Sequence, residues 1–480
     1  MKAISNLPDE AATRDGLREL VPRRLLQRSA HDPPRFDLHP IVRQYAYDRL
    51  ADKQGVHTRL HDYFDAVPKP EEGAVKSLDD LQPVIELYHH TVRAGQFDEA
   101  RNLYHDRLGL PLYYRFGAYL RCIELLSALF PDGQPFTPSG GAALPRLRNE
   151  DEQAWTLNEL ANSFSLSGQP RRAMLMHARN AGYDEEHGRK EHLATSLVNL
   201  AVQNMFLGSL AAAEENLRRS IALFHEIKAE VKEAIGHNEL GRLLVHRVKR
   251  DAADKELAAA IAAFEKAGEL QYQGVTWAYR ALKALLMGDA REAAASARRA
   301  RELADKTARR RYPHERDFVR AEWLLGWAKV ALAEESAKEG RGASGRGVPA
   351  QRVGTRLLAE AEGHLTEALT RCRRINNVES EPSILLAWGR WHRAKGNREE
   401  ARKHAEEALA IADRCEFRLC QADIHNFLAQ LALDAGDKAA ALRHAQIGRE
   451  RAECDGKPHW YKPAVDEAER LLKEAEGGDR

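Results

Sequence analysis

Five cysteines, an even balance of charge and the absence of any long apolar run are the first things this sequence shows, and each shortage removes a class of protein. Cys122, Cys372, Cys415, Cys420 and Cys454 form no CxxC pair and no regular framework. An odd number of scattered thiols with no secretory leader points to reduced side chains in a cytoplasmic setting, not to a disulfide scaffold. Lysine and arginine total 73 against 72 acidic residues, a net charge of +1 over 480 residues. That balance gives no overall pull toward nucleic acid or an anionic membrane. The basic stretches Arg298–Arg301 and Arg309–Arg311 read as solvated helix faces. No apolar segment reaches membrane length, and the region around Met1 has no hydrophobic targeting core, so a soluble cytoplasmic chain with no membrane partner is expected.

Catalytic signatures are missing as well. Gly340 and Gly345 have the outer spacing of a phosphate loop, but Arg346 and Gly347 stand where the lysine and hydroxyl belong, and no apolar strand precedes them. There is no HExxH and no GxSxG. His57 and His61 lie one helical turn apart without an evident third ligand and read as a surface pair. His89 and His90 are neighbours that point apart on a helix. The acidic pairs Glu399–Glu400 and Glu406–Glu407 sit near Arg402 and Lys403, as solvated helix faces do. The expectation is a chain that is no enzyme and holds no metal and no cofactor.

What is present is a stride. Gly168, Gly208 and Gly288 differ by 40 and 80, and Gly396 and Gly436 differ by 40 again. Seven positions before each stands a small residue: Ala161, Ala201, Ala281, Gly389 and Ala429. Five positions after each comes an alanine: Ala173, Ala213, Ala293, Ala401 and Ala441. Small residues let two antiparallel helices approach closely, and a tight turn between them needs a residue that tolerates positive φ. The unit is a helix hairpin, and its repetition predicts a stacked array with helix formers throughout and no sheet after residue 150.

This pattern resembles the tetratricopeptide repeat (TPR), best in Leu385–Ala408 and Trp277–Ala300. The resemblance implies an all-α fold: a right-handed TPR-like superhelical solenoid of antiparallel helix hairpins. A period of 40 in place of 34 implies longer helices. One unit over about 230–268 keeps the register, with Gly241 at the small position but Val248 at the turn; an earlier hairpin, Val84–Tyr104, has Gly95 and Ala100 in the same relation. Gly288 and Gly396 are 108 apart, two periods plus 28, so one repeat carries an insertion. Glu334–Thr355, rich in Gly, Ser, Ala and Arg, is expected to be a mobile loop between Phe318–Ala333 and Leu357–Arg373.

The segment before the repeats differs in kind. Leu17–Leu50 reads as a helical run, a turn at Asp32–Pro34, an extended FDLH, and an amphipathic helix from Pro40, a residue suited to the first helical position. Leu38, His39, Pro40, Val42, Arg43 and Tyr45 resemble the end of the winged-helix module of STAND signalling ATPases of the NB-ARC type; a plain capping hairpin is the alternative. The aromatic stretch within Ser77–Gly133 is similar to the connector that follows that module in bacterial STAND proteins with TPRs, and Cys454–Leu472 is similar to their closing helix, where Pro458, Trp460 and Pro463 would seal the last apolar face. No Walker A loop accompanies the module here, so the chain reads as the sensor half of such a receptor, either a separate product or part of a longer one. The expected divisions are residues 1–66 as winged-helix-like remnant, 67–150 as helical connector with a first hairpin, 151–453 as an array of about seven hairpins with the insertion at about 334–356, and 454–480 as a capping helix.

Function then falls to the concave face, built in such arrays from the first helix of each hairpin. The register turns Asn158, Asn162, Ser165, Val198, Asn199, Val202, Met205, Asn238, Arg242 and His246 inward. An asparagine amide donates and accepts, which suits the backbone of an extended peptide; Arg242, Arg390 and Arg393 suit a carboxylate. The same asparagines also suit bonds between neighbouring helices. Trp155, Trp277, Trp323, Trp327, Trp388 and Trp391 lie on first helices and read mainly as packing between hairpins, with one or two as groove anchors. The expected partner is a protein or peptide, with a nucleotide-binding STAND module as a second partner in trans or upstream. A free-standing adaptor, or a regulator using the winged-helix remnant on DNA, are the other readings.

Overall fold

Turn chemistry organises the observed structure from one end to the other. The computed structural model describes residues 10–28, 36–71, 74–310, 314–342 and 350–477. They fall into two compact units: residues 1–112, 124–135 and 144–153 form the first, and residues 113–123, 136–143 and 154–480 the second. The expected connector is therefore divided, since its residues 113–123 and 136–143 belong to the repeat unit.

The first unit begins with α1 (Glu10–Leu20), then β1 (Leu26–Arg28) and β2 (Phe36–Leu38), paired antiparallel with Leu26 opposite Leu38. Leu26–Arg28 is thus a strand and not the end of a helical run, because Phe36–Leu38 offers it a ladder; the Asp32–Pro34 turn lies outside the described residues. Helix α2 (Pro40–Asp48) opens with Pro40 at its first position and His39 Nδ1 accepting from the Ile41 amide. Helix α3 (Lys53–Ala66) is capped by Asp52, whose carboxylate accepts from the Gly55 amide at 2.7 Å. Helices α4 (Gln82–Arg93) and α5 (Phe97–Leu103) form the early hairpin, turning at Gly95 with φ +82° and burying Ala100 completely. Two turns of wider π-helical pitch follow, Tyr104–Gly109 and Pro111–Arg115, and then α6 (Tyr119–Ser127); residues 113–123 of this stretch are counted with the second unit. Tyr88, at the centre of this core, donates to the Leu125 carbonyl.

The expected surface pair in α3 is not one. His57 is only 3 % exposed; its Nδ1 lies 3.0 Å from His90 Nδ1 and its Nε2 lies 3.1 Å from the Tyr47 hydroxyl. Burial holds both imidazoles below their usual pKa, His90 at about 4. Equal spacing placed His57 and His61 on one stripe, but α3 packs that stripe's edge on α4, so His57 is enclosed while His61 reaches Asp62 and Glu99.

The second unit is a run of hairpins. Its helices are α7 (Glu150–Leu166), α8 (Pro170–Glu186), α9 (Lys190–Leu207), α10 (Leu210–Glu226), α11 (Glu230–His246), α12 (Arg250–Ala267), α13 (Leu270–Leu286), α14 (Ala290–Arg310), α15 (Glu315–Gly342), α16 (Ala350–Arg374), α17 (Glu381–Ala394), α18 (Arg398–Arg414), α19 (Arg418–Asp434), α20 (Lys438–Glu453) and α21 (Lys462–Glu476). From α7 to α20 they pair in order into seven hairpins, the first tied by Asn180 Nδ2 donating to the Ala154 carbonyl at 3.0 Å, each stacked on the next, and α21 closes the last one. A positive φ recurs every 20 residues, at Gly168, Gly188, Gly208, Lys228, Val248, Gly268 and Gly288, and again at Asn376, Gly396, Glu416, Gly436 and Gly456. Each period of 40 is therefore two helices of about 17 residues, each with its own left-handed turn. Val248 holds φ +54° where other hairpins have glycine, a conformation that costs a β-branched residue about 1–2 kcal/mol.

The small positions work as the spacing predicts. Ala161, Ala201, Ala281 and Ala429 have no exposed surface, and a Cβ added to Gly241 would sit 2.6 Å from Leu257. Gly326 meets Leu365 at the same 2.6 Å, which locates the insertion. From Gly241 to Leu257 is 16 residues and from Gly326 to Leu365 is 39, so 23 of the 28 extra residues lie within the α15–α16 hairpin. Most of them are helical: residues 334–342 extend α15 and residues 350–355 begin α16, leaving 343–349 outside the described residues. The expected loop is shorter because Glu334–Lys338 and Gln351–Arg352 are helix formers despite their polarity.

Within this unit the array returns on itself. Arg171 Nε meets the Glu416 carboxylate at 2.6 Å, the Ala211 amide donates to Asp455 at 2.8 Å, and Arg247 Nε donates to the Pro458 carbonyl at 3.1 Å. These pairs are 245, 244 and 211 residues apart. Phe206 packs on Phe417 with ring centroids 5.2 Å apart, and His246 meets Tyr461 edge to face at 5.1 Å. The turns of the first three hairpins thus rest on the turns that follow α16, α18 and α20, and the first helices line the space between them.

Candidate ligand-binding interior

First helices supply most of the wall, which mixes polar and apolar side chains. One cavity has a volume of about 720 Å³ and is lined from α9 by Val198, Asn199 and Val202, from α11 by Asn238 and Glu239, from α13 by Tyr279, and from α15 by Arg316 and Arg320. Tyr113, Tyr114 and Tyr119, from the short stretch that belongs to this unit, close one side as a ring cluster with centroids 4.7 Å and 5.4 Å apart. A smaller cavity of about 190 Å³ adds Asn162, Ser165, Gln203, Arg242 and Glu379. Two more, about 150 Å³ and 290 Å³, lie further along the helices and bring in Met205, His246, Trp323, Trp327 and Arg390, and then Arg390, Arg393 and Asn426.

The interior charges are arranged in short couples. Tyr279 donates to Glu239 at 2.8 Å, Arg242 lies 3.0 Å from the same carboxylate, and its guanidinium sits 5.2 Å over the Tyr279 ring. Arg316 pairs with Glu379 at 3.6 Å, and Arg320 with Asp317 at 3.4 Å. Burial pushes the Tyr279 hydroxyl up to about 12. Burial also opposes the charges on Arg242 and Arg316, but their acidic neighbours more than offset it and both stay raised. Arg390 behaves differently: it stacks 4.3 Å over Trp327, has no carboxylate within ion-pair distance among the described residues, and burial outweighs nearby Asp423 to lower it. Asp423 is itself pushed up to about 6 by burial, while Tyr461 donates to it at 3.1 Å.

Placement of the expected residues is uneven. Asn162, Asn199, Asn238, Arg242, Arg390 and Arg393 all line one or another cavity. Asn158 lines none of these four and accepts a hydrogen bond from Asn199 Nδ2 at 3.0 Å, a tie between consecutive hairpins. Asn158 and Asn238 share a register position but not an environment, since Asn238 is 2 % exposed. Arg393 is engaged by Asp434 at 2.5 Å and by Glu334 at 3.6 Å. Trp323 and Trp327 face the interior, whereas Trp391 is buried and donates to the Leu358 carbonyl at 2.7 Å. The sequence reading missed Arg316, Arg320, Glu239, Glu379 and the tyrosine cluster. The run YYRFGAY within Leu110–Arg121 was the available signal for the last of these.

The hairpins, their left-handed turns and their small-residue contacts define a helical-repeat array of the tetratricopeptide type. Among the described residues no helix is long and apolar enough to cross a membrane. No protein-family model matches this chain, and no curated protein does. Solved structures with a similar course include the STAND signal-transduction ATPase with a tetratricopeptide repeat sensor from Pyrococcus horikoshii, at 15% identity over 95% of this chain and TM-score 0.38. The chain spans 60% of that protein's length. A Rap protein complexed with competence and sporulation factor gives 11% identity over 78% of this chain and 99% of its own, with TM-score 0.49. Yeast Tom70 gives 13% identity over 91% of each chain, with TM-score 0.40. At these identities the likeness concerns the helical-repeat fold alone.

Proposed function

We propose that this chain is a non-enzymatic binding module whose repeat unit takes a short extended peptide into its interior, as the ligand-sensing portion of a STAND-type signalling receptor. One observation carries the reading. Five residues of the wall each carry a buried polar atom for which the chain itself provides no hydrogen-bond partner: Gln203 Oε1, Asn238 Oδ1, Arg242 Nε, Arg316 Nε and Asp317 Oδ2. Buried polar groups are normally satisfied, so lining side chains with donors and acceptors left unpaired suit a ligand that offers both once they turn toward it, and a peptide backbone is such a ligand. A volume of about 720 Å³ is of the size that small ligand sites occupy.

The sensing role rests on the closing contacts and on the segment before the repeats. A ligand held between hairpins on opposite sides of the interior favours one curvature of the array, and only such differential affinity can pass a signal to a nucleotide-binding module. The helix, two-stranded hairpin and helix from α1 to α2 support the winged-helix resemblance that links the chain to that module.

Affinity-selection mass spectrometry with a synthetic library of short peptides tests the binding. Wild type is expected to enrich a defined subset, and the triple variant Asn238→Ala, Arg242→Ala, Arg316→Ala to lose it while keeping its helical circular dichroism. Equal enrichment by both proteins, or none by wild type, would remove the interior as the peptide site. An adjoining reading frame with a P-loop supports the receptor assignment, and its absence across genomes that encode this chain counts against it.

A further inference from the structure

A second cluster of ligand-bearing side chains lies away from the interior cavities, at the turn of the sixth hairpin. His392 occupies the last turn of α17, Glu400 and His404 lie one helical turn apart at the start of α18, and Gly396 turns the chain between them with φ +82°. One donor atom from each of the three lies within 4.8 Å of the other two. We propose that His392, Glu400 and His404 form a binding site for a divalent transition-metal ion of the zinc class.

Several features of the geometry lead there. His404 Nδ1 lies 2.9 Å from the Glu400 carbonyl, which fixes that nitrogen as the donor and leaves Nε2 as the free base. An outer hydrogen bond of this kind is what orients imidazoles that ligate metals. His392 Nδ1 is buried and has no hydrogen-bond partner, so the chain gives this imidazole nothing else to bind there. The two ring centroids are 4.9 Å apart, with a tilt of 31° between the planes. Trp391 meets His392 edge to face at 4.8 Å, and Trp388 stacks on His404 at 6.0 Å, so aromatic rings limit how far either imidazole can swing.

The donor set decides the ion. Two imidazoles and one carboxylate suit zinc and its neighbours, whereas calcium and magnesium require mostly oxygen donors. Lys403, 3.7 Å from Glu400, competes for that carboxylate but is itself exposed and is easily displaced by a divalent charge. Bound there, the ion would staple the end of α17 to the start of α18. A tetrahedral ion would keep one position for water or a donor from a partner.

The chelator-treated full chain is titrated with Zn²⁺ by calorimetry and with Co²⁺ by tryptophan fluorescence, in wild type and in the double variant His392→Ala, His404→Ala. Because the chain has 20 histidines, the difference between the two proteins is the readout. Wild type is expected to bind one more equivalent than the double variant, with Zn²⁺ raising the melting temperature of wild type alone and Co²⁺ quenching fluorescence through Trp388 and Trp391. Glu400→Gln, on a side chain about half exposed, leaves the fold intact and is expected to weaken the site at least about tenfold. Equal stoichiometry and affinity in wild type and Glu400→Gln, or no difference between wild type and the double variant, overturns the proposal.

Discussion

Two sets of turns in the repeat unit share one sequence signature and have different jobs. Gly168 and Gly208 are buried, and a Cβ on either would strike the returning chain: Cys415 Sγ at 2.6 Å and Val378 at 2.8 Å for the first, Arg418 Cδ at 2.4 Å for the second. Gly288, Gly396 and Gly436 are exposed, and a Cβ there meets nothing within 4 Å. All five hold a left-handed φ between +78° and +82°. The first two glycines therefore answer to two demands, a backbone conformation and a close approach, and the last three to the conformation alone. Equal spacing along a chain reports the first demand and is silent about the second.

Substitution separates the two demands. Gly168→Ala is expected to lose the most, about 1–2 kcal/mol for the left-handed backbone and about 1–3 kcal/mol more for overpacking against a buried thiol; Gly396→Ala should lose only the first part. Denaturant midpoints of the two variants, measured side by side, decide it, and equal losses would erase the distinction. Gly208→Ala should fall between them, since Arg418 can swing away at the expense of its hydrogen bonds to the Glu450 and Arg451 carbonyls. Val248→Gly tests the conformational demand by itself: relief of its strained φ should raise stability by about 1 kcal/mol, less the chain entropy that glycine adds.

The returning contact also has a pH dependence. Burial, with Arg242 adding to it, holds His246 down to about 3, so it stays neutral against Tyr461 in the folded chain. As pH falls below about 6.5 the unfolded chain takes up a proton that the folded one refuses, and this share of stability is lost progressively toward pH 3. His246→Phe keeps a ring against Tyr461 and cannot titrate, so its melting temperature should decline less than that of wild type over the same range. Parallel declines would show that acid acts elsewhere. The smallest effect belongs to Arg171→Ala: the Arg171–Glu416 pair is 62% and 46% exposed, and its removal should cost under about 1 kcal/mol.

Much of the array was legible because positive φ selects glycine and close helix contact selects alanine, and both leave their mark at fixed offsets. Lys228, Val248, Asn376 and Glu416 make the same turn without glycine, so a third of the 20-residue rhythm was hidden. Arg316 and Arg320 escaped because the other five extra residues precede Gly326, where α14 runs to 21 residues, and displace the register that made Asn238 and Arg242 readable. His57 was misjudged because a helical stripe names neighbours along one helix and not the helix packed against it. The partners of Gly168 and Gly208 are more than 200 residues away, and no local pattern encodes a contact of that range.

A linear stack normally lets its end units melt one at a time, since each leans only on its neighbours. Here the chain bites its own tail through Glu416, Asp455 and Pro458. Opening any one of the first three hairpins removes support from the last three, so the ends are as securely held as the middle. Shortening the protein one hairpin at a time from its C-terminal side should therefore fail abruptly at the first cut and not by gradual decline.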